Sequence, residues 1–305
     1  MENKKEKYPF ISIIFPNWNG ENNTLECLDS LEKLNYPKNR MEIIIVDNGS
    51  TDGSQESIKK KFKEMKNSKW FTLKLIENQK NIGAPAAYNR GIKEANPDYN
   101  YIWKLDNDIV VDKDSLIELV KAGESSSKFG TLNGKIYYYN NPNIIWSVGL
   151  KLLWFIGACI HIGKNQKDNN RYNSIHFFDH LAGCSVLIKK TMMEKLDKFY
   201  EDYFIYYDDI ELSLRSTKFG FKNVYVPTAK IWHKIHRSIK KDNPKFIYYR
   251  TRNSFIFMKR NFNFLYYIIY IILFFPLSFL KILRWWKTPI NINSYINGVK
   301  DGLRH

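Results

Sequence analysis

The chain is poor in cysteine, and none of its apolar runs reaches the roughly 20 residues of a full membrane span. The 305 residues include only three cysteines, Cys27, Cys159 and Cys184, and no two form a Cys-x-x-Cys pair. A disulfide framework and a cysteine zinc site are therefore excluded, and a reducing cytosol fits. The charged segment 1–7 and the short apolar run 10–15 do not have the pattern of a signal peptide.

The sequence also lacks G-x-G-x-x-G, the motif of dinucleotide-binding proteins, and G-x-x-x-x-G-K-[ST], the motif of P-loop proteins. Neither of these two classes is therefore indicated. Acidic residues are in the minority, with 31 Asp and Glu against 47 Lys and Arg, a net charge of +16. Residues 234–305 hold fourteen Lys and Arg but two Asp, a net of +12. A basic segment of this kind can bind nucleic acid or anionic lipid.

The aromatic run 264–280 (FLYYIIYIILFFPLSFL) decides between these two partners. It has no charged residue, and Pro276 interrupts it. Basic and tryptophan residues flank it: Lys259, Arg260, Lys281, Arg284, Trp285, Trp286 and Lys287. This arrangement is typical of a membrane interface, and it predicts a peripheral protein at the cytoplasmic face of the cell membrane. A single span at about 264–283, a buried helix and a homo-oligomer contact through the tail are the alternatives.

Strand and helix patterns alternate in the first half. Predicted strands cover 10–15, 42–46, 71–76 and 101–105, and predicted helices cover 21–34, 52–65 and 84–95. Repeated βαβ units predict an α/β fold with a mostly parallel sheet. The nucleotide-binding half is expected at about 8–112, an acceptor half at about 113–236, and a basic helical tail at 237–305.

The second half is less regular. Residues 137–142 and 164–173 look like loops, whereas 181–188 and 224–226 read as strands and 210–219 as a helix closed by Gly220. The least compact stretch, 236–245, is the expected junction between the catalytic part and the tail.

The tripeptide Asp106-Asn107-Asp108 follows the apolar run 101–105. Carboxylates at the end of a buried strand point into the crevice where ligands of parallel sheets bind. Hard oxygen ligands suit Mg²⁺ or Mn²⁺, which usually sit against substrate phosphates. A simple turn is the alternative, because Asp and Asn are common wherever a strand ends.

Three further groups carry potential chemistry. Asp47 follows the second strand, where a carboxylate can accept a hydrogen bond from a base or ribose. Asp208 and Asp209 precede a helix, whose dipole is expected to keep them ionised, and such a carboxylate can take a proton from a sugar hydroxyl. His233 ends the last compact element and can return to the metal site. Turn formation, helix capping and a structural histidine are the respective alternatives.

The ordered motifs resemble those of the family 2 inverting glycosyltransferases, most closely the bacterial rhamnosyltransferase-like branch that builds cell-surface polysaccharides. These motifs are P-N-W-N at 16–19, V-D-N-G-S-T-D-G-S at 46–54, Asn81, Gly83, Asn89 and Gly91, D-N-D at 106–108, G-C-S-V-L-I-K-K at 183–190, D-D-I-E-L at 208–212, and I-W-H-K at 231–234. The match covers about residues 8–237. It implies the A-type glycosyltransferase fold, a Rossmann-like sheet with an acceptor-binding half.

The resemblance also implies roles. Asp47 would contact the nucleobase and Asp106 the nucleotide, while Asp108 and His233 would hold Mn²⁺ or Mg²⁺ on the diphosphate. Asp209 would be the catalytic base, assisted by Asp208, although the family often has Glu-Asp here. The predicted donor-binding residues are Pro16, Asn17, Asn19, Asp47, Asn48, Gly49, Asn81, Gly83, Asn89, Lys104, Asp106, Asn107 and Asp108. The predicted acceptor-binding residues are Gly183, Cys184, Asp208 and Glu211.

The predicted function is metal-dependent, inverting transfer of a sugar, with rhamnose as the expected one, from a nucleoside-diphosphate donor to a hydroxyl of a lipid-linked or polysaccharide acceptor. A sugar-phosphate nucleotidyltransferase is one alternative, but the loop 16–20 has none of the basic residues that it needs. A non-enzymatic basic protein that binds nucleic acid or membrane is the other. Nucleic acid is not the expected partner, because both acidic clusters would repel phosphate unless metal bridged them.

Overall fold

The computed structural model describes residues 8–235, 243–285 and 288–305. The strands are β1 (Ile11–Asn17), β2 (Met41–Asp47), β3 (Thr72–Glu77), β4 (Tyr101–Leu105), β5 (Ile109–Val111), β6 (Phe129–Tyr138), β7 (Asn141–Ser147), β8 (Gly149–Leu153), β9 (Ala158–Ile162), β10 (Gln166–Lys167), β11 (His176–Phe177), β12 (Ser185–Lys189) and β13 (Lys222–His233). The helices are α1 (Glu21–Glu32), α2 (Ser54–Met65), α3 (Ala84–Lys93), α4 (Ser115–Glu124), α5 (Lys190–Leu196), α6 (Asp208–Lys218), α7 (Pro244–Asn261), α8 (Phe264–Arg284) and α9 (Pro289–Arg304).

The first half forms the parallel part of a mixed sheet. β3, β2, β1 and β4 lie side by side, with all three neighbouring pairs parallel. The seven residues of β2 are all buried, because helices cover both faces of such a sheet, and its isoleucine-rich sequence suits that position. The predicted α/β fold with a mostly parallel central sheet is confirmed.

The second half extends this sheet with antiparallel and mixed pairs. β12 runs antiparallel to β4, and β6 lies beyond β12 and pairs with β7 and β13. The prediction of a loop at 137–142 was wrong, since β6 and β7 form a hairpin that leaves only the turn between Tyr138 and Asn141.

The long strand β13 brings the end of the catalytic part back to the Asp-Asn-Asp segment. It continues past Pro227, where the prediction ended it, because its register against β6 shifts between Val226 and Lys230. Such an irregularity accommodates a residue that cannot donate a ladder hydrogen bond. β13 then pairs antiparallel with β5, which sets His233 opposite Ile109, and Lys234 N donates to Asp108 O over 2.9 Å.

The C-terminal helices pack onto the acceptor half. Phe255 and Phe257 of α7 share a buried cluster with Tyr203 and Tyr207, and Tyr270 of α8 belongs to the same cluster. Among the described helices, none has the combination of length and hydropathy needed to cross a membrane. Of the predicted junction and flanking residues, 236–242, Trp286 and Lys287 lie outside the described residues, as do the side chains of Lys281 and Arg284.

Candidate functional site

A cleft of about 620 Å³ opens where the parallel strands end. Its lining comes from the loops after β1, β2 and β4, the segment before β12, the start of α6, the end of β13 and the start of α7. Nine of the predicted donor-binding residues line it: Pro16, Asn17, Asn48, Asn81, Gly83, Lys104, Asp106, Asn107 and Asp108. Gly183, Cys184, Asp208, Asp209 and His233 line it too. Residues dispersed over more than 200 positions therefore meet in one cavity.

Two carboxylates and one imidazole form a cluster on one side of the cleft. Asp106, Asp108 and His233 each offer a ligand atom, and these atoms lie within 4.8 Å of one another. The Nε2 atom of His233 is 3.2 Å from Oδ1 of Asp108. Asp106 thus joins the pair that the sequence assigned to the metal.

The donor set fits a hard divalent cation. Asp108 Oδ1 is buried, and it has no hydrogen-bond donor among the described residues despite the nearby imidazole. Burial raises the pKa of Asp106, although the charge of Lys104 opposes this. Oxygen-rich sites with one imidazole suit Mn²⁺ or Mg²⁺. A bound cation would stabilise the buried charge of Asp106 and would supply a partner for Oδ1 of Asp108.

Lys104 lies beneath the cleft and is almost fully buried. Its Nζ donates to Gly183 O over 2.9 Å, lies 3.5 Å from Oδ2 of Asp208, and is 4.2 Å from the ring centre of Tyr88. The Tyr88 hydroxyl in turn lies 2.9 Å from Oδ1 of Asp106. A buried charge needs such partners, so this lysine connects the two acidic clusters.

Asp208 and Asp209 are the first two residues of α6. Asp209 is only partly buried, and its Oδ2 accepts a hydrogen bond of 3.1 Å from Gly183 N. A Cβ atom on Gly183 would approach the Cβ of Asp209 to 2.4 Å. Glycine is required here because the segment before β12 passes directly against the carboxylate-bearing turn.

Asp209 has a higher pKa than an ordinary aspartate, although it lies in the first turn of a helix. Burial and the neighbouring Asp208 charge raise the pKa of Asp209 to about 6, although Lys104 and backbone N–H groups oppose the shift. A carboxylate with this pKa is ionised at neutral pH and is more basic than an ordinary aspartate. Such a value suits a general base.

Asn17 ties the donor-side loops together. Its Oδ1 accepts from Thr24 Oγ1 at 2.8 Å and from Asn107 Nδ2 at 2.9 Å, while its Nδ2 donates to Asp47 Oδ2 at 2.7 Å. Gly20 lies against the side-chain amide of Asn107, and a Cβ atom on Gly20 would come within 2.4 Å of Asn107 Nδ2. The middle residue of Asp-Asn-Asp therefore holds the loop in place.

Five predicted ligand-binding residues lie outside the lining: Asn19, Asp47, Gly49, Asn89 and Glu211. Asp47 is fully buried, and its oxygens accept from Asn17, Gln55 and twice from Ser50. Burial opposes its ionisation, but these hydrogen bonds lower the pKa of Asp47 below its usual value.

The other four also have local partners or constraints. Asn19 Oδ1 accepts from Thr51 N at 2.7 Å, and Gly49 has a φ of +73° beside the Lys80 backbone. Asn89 binds the backbone of Phe199, and Glu211 accepts from Tyr203 and Asn261. Their roles in ligand binding stay predictions.

The cleft also has an aromatic wall, which no pattern in the sequence indicates, and its Trp146 packs edge-on against His233 with ring centres 4.6 Å apart. Trp18, Trp146, His161, Phe204, Tyr206 and Phe246 line the cleft, and Trp18 is half exposed. Phe246 packs edge-on against Tyr206, and Lys245 lies 5.8 Å from the ring centre of Trp18. No spacing in the sequence links these rings, because they come from four distant parts of the chain.

Known proteins are similar to this chain in sequence and in fold. Over 229 residues the chain is 28% identical to a poly-beta-1,6-N-acetyl-D-glucosamine synthase of Staphylococcus epidermidis, covering 75% of this chain and 51% of that protein. The synthase of Staphylococcus aureus strain MSSA476 is 29% identical over 213 residues, covering 70% and 47%. The chain thus spans about half the length of the curated relatives it matches.

Two solved structures show the same fold. A mannosyltransferase from Pyrobaculum calidifontis, in complex with GDP-Man and Mn²⁺, superposes with a TM-score of 0.60 at 17% identity, covering 94% of this chain and 74% of that one. TarS of S. aureus (residues 1–349) in complex with UDP-GlcNAc superposes with a TM-score of 0.57 at 17% identity, covering 97% and 81%.

The family model described as Glycosyl transferase family 2 matches residues 12–191, more than half of the chain. That span runs from β1 to the start of α5 and includes the Asp-Asn-Asp segment and the loop that carries Gly183. The chain therefore belongs to glycosyl transferase family 2.

Proposed function

We propose that the protein transfers a sugar from a nucleoside-diphosphate donor to a hydroxyl group of a glycan or lipid-linked glycan, with inversion at the anomeric carbon. The observation that carries this proposal is the shared cleft, in which an acidic cluster of metal-ligand type and the basic carboxylate of Asp209 face the same cavity. A one-step displacement needs a base and a stabilised leaving group on either side of the reacting carbon.

The donor side is formed by the loops after β1 and β2 together with Asp-Asn-Asp. Asp106, Asp108 and His233 would hold Mn²⁺ or Mg²⁺, which when bound supplies positive charge to offset that of the departing diphosphate. Asn48 and Asn81 offer amide groups at the cleft, and Asn17 fixes the loop that presents Pro16.

Asp209 acts on the acceptor side. The ionised carboxylate accepts the proton of the attacking hydroxyl as the oxygen bonds to the anomeric carbon and the bond to the diphosphate breaks. Gly183 N orients the carboxylate through Oδ2. Lys104 lies beside Asp208 and balances its charge, and burial together with the charge of Asp208 raises the pKa of Asp209.

The first donor to test is UDP-N-acetylglucosamine. The curated relatives are named for N-acetyl-D-glucosamine polymers, and one structural neighbour holds UDP-GlcNAc. The rhamnosyl expectation rests on branch resemblance alone and finds no support among these relatives. A glycan or lipid-linked glycan acceptor is proposed on the same basis, together with the aromatic wall, since aromatic rings bury the apolar faces of ligands.

A donor panel tests the proposal. The purified protein is incubated with UDP-GlcNAc, GDP-Man and a nucleotide-activated rhamnose, with Mn²⁺, Mg²⁺ or chelator, and release of nucleoside diphosphate is measured. We expect metal-dependent release from UDP-GlcNAc and its loss in Asp209→Asn. Release that is unaffected by chelator and by this substitution would overturn the proposal.

A further inference from the structure

One face of α8 exposes large apolar side chains. Leu265, Ile272, Phe275 and Phe279 are 64, 63, 50 and 63% exposed. Their spacings of seven, three and four residues place them on one side of the helix. The other side packs inward through Tyr270 and Phe274, which are nearly fully buried. A helix that is apolar on both faces needs a second apolar environment for the outer one.

The tip of the β8–β9 hairpin extends this surface. Trp154 packs edge-on against Tyr266 of α8, with ring centres 4.8 Å apart, and against its neighbour Phe155. Phe155 and Ile160 are 39 and 49% exposed. We name Phe155, Ile160 and the four α8 residues the apolar surface.

Positive charge accompanies the apolar surface. Lys151 is exposed and lies opposite Ile160 in the hairpin, so the two side chains share one face. Lys259 is exposed in the last turn of α7, just before α8 begins. The sequence from 234 to 305 carries a net charge of +12. Apolar residues bordered by cations match the interface of an anionic bilayer, where lysine heads meet lipid phosphates and apolar side chains enter the acyl region.

The same hairpin reaches the reaction cleft. His161 of β9 lines the cleft, and it lies three positions, about 10 Å of strand, from Ala158 near the tip. At the tip, Gly157 O accepts a hydrogen bond from the hydroxyl of Tyr207, the residue before Asp208. A Cβ on Gly157 would lie 3.0 Å from the Tyr270 ring of α8. The hairpin therefore joins the apolar surface to the base-bearing turn.

We infer that the apolar surface binds an anionic lipid bilayer and lies within its interface. The acceptor side of the cleft then faces that bilayer, so the substrate class is a saccharide whose lipid anchor remains in the membrane while its hydroxyl enters the cleft. The statement about the acceptor rests on the proposed function, whereas the binding of the surface to lipid does not.

The experiment compares two double variants with equal charge changes. Leu265→Glu/Ile272→Glu alters the apolar surface, and Phe71→Glu/Ile175→Glu alters two side chains of similar exposure, 53 and 49%, elsewhere on the molecule. Each is mixed with phosphatidylcholine vesicles containing about 30% phosphatidylglycerol and floated at about 0.15 M salt. Melting temperatures establish that both are folded, and donor hydrolysis in solution is measured alongside.

We expect the unmodified protein and the Phe71→Glu/Ile175→Glu control to float, and the Leu265→Glu/Ile272→Glu variant to bind vesicles at least about tenfold more weakly. Phe155→Glu should also weaken flotation, since it alters the hairpin part. Failure of the unmodified protein to float, or equal flotation of the two double variants, would overturn the inference. A concentration-dependent dimer that only Leu265→Glu/Ile272→Glu abolishes would assign the surface to a second copy instead.

The two proposals fail separately. Donor hydrolysis without flotation would support the proposed sugar transfer and contradict the binding of the apolar surface to a bilayer. Flotation without donor hydrolysis would support the binding to a bilayer and contradict the proposed sugar transfer.

Discussion

In the proposed reaction the negative charge of Asp209 accepts a proton, and the same charge destabilises the fold. The pKa rises from 3.8 to about 6, so between these values the folded protein binds a proton more readily than the unfolded chain. The free energy of unfolding therefore falls as pH rises through this window, and above it the ionised carboxylate is a net cost. Replacing the charge with a neutral amide removes that cost.

We accordingly expect Asp209→Asn to melt at the same temperature as the parent or higher at neutral pH, while transfer falls about 10²–10⁴-fold. Donor affinity should be retained, because the substituted side chain lies on the acceptor side. Asp208→Asn is the matched control and should lose less turnover, since it removes the partner of Lys104 and one charge that raises the pKa of Asp209 but leaves the proposed base in place. Equal, small losses in both variants would return this cluster to a structural role.

The pH dependence of the parent enzyme follows from the same residue. If the ionised form of Asp209 takes the proton, kcat/KM should fall about tenfold per pH unit below about pH 6 and level off above it. The profile is recorded at saturating metal with a soluble acceptor. A flat profile between about pH 5 and 7 would contradict the assignment of the base.

Asp108 offers an equally direct test on the donor side. Asp108→Ala removes the carboxylate whose Oδ1 lacks a hydrogen-bond partner among the described residues. We expect titration calorimetry to show no gain in UDP affinity on adding Mn²⁺ to this variant, in contrast to the parent protein. His233→Ala should reduce the gain less, because two carboxylates remain. Unchanged metal-dependent affinity without Asp108 would disprove the metal site.

At the scale of elements, α7 holds the segment before the catalytic turn. The Asn253 amide is fully buried, and it donates to Tyr203 O at 2.9 Å and Ile205 O at 2.7 Å. Three residues of this segment, Phe204, Tyr206 and Tyr207, have φ between +63° and +69°, where side chains other than glycine are disfavoured. Strained backbone persists only where its surroundings fix it.

Asn253→Ala should therefore lower the free energy of unfolding by about 1–3 kcal/mol, the penalty for buried carbonyl groups without donors. Turnover should fall more than UDP binding with metal, since the segment leads directly to Asp208 and contacts the donor side through the 2.7 Å hydrogen bond that Ala84 N donates to Phe204 O. Asn243→Ala, which removes only the N-cap of α7, is the control and should cost about 1 kcal/mol without this loss of turnover. A parallel loss of UDP binding in Asn253→Ala would contradict the assigned role.

The sequence predicts some of the strands and helices well and others not at all. The parallel strands were placed to within one or two residues at each end, because buried runs such as that of β2 and the turn residues after them are local signals. The sequence does not predict the hairpin at Tyr137–Pro142 because its tyrosines and asparagines resemble a loop, and its strands join the sheet by pairing with distant segments, β6 with β12 and β13 and β7 with β10. Asn253 gave no signal at all, because its partners lie about fifty positions earlier.

The candidate site follows the same rule. Asp106, Asp108, Asp209 and His233 were found because their motifs are ordered along the chain and resemble a family. The aromatic wall has no such order. The contact of Asp47 with the nucleobase of the donor stays a prediction, because in the structure the carboxylate oxygens of Asp47 accept hydrogen bonds from neighbouring residues.

At the scale of the whole molecule, the cleft draws on nearly the full length of the chain. Trp18, near the start of the chain, and Phe246, in the first turn of α7, both line the cleft, and Trp146 lies between them in sequence. A ligand that binds only this assembled cleft stabilises the entire fold by mass action. UDP with Mn²⁺ at about 100 times its dissociation constant should raise the melting temperature by about 4–5 °C.

Neither UDP alone nor Mn²⁺ alone should produce this shift, and Asp108→Ala should abolish it. Differential scanning fluorimetry gives the measurement, with a single transition expected in each case. A second transition that does not move with ligand would indicate that the tail unfolds independently of the cleft.

The contact of Lys245 and Phe246 with the region of Trp18 and Tyr206 has a consequence for biosynthesis. A ribosome delivers β1 to β4 first, and these strands can pair as soon as they emerge. The aromatic wall is incomplete until α7 has left the ribosome, because Phe246 lies in the first turn of that helix. A nascent chain can thus acquire the loops after β1, β2 and β4 early, but it gains the contact of Phe246 with Tyr206 only after α7 has emerged. A truncated product that stops before α7 carries the acidic cluster but lacks Phe246 and its contact with Tyr206.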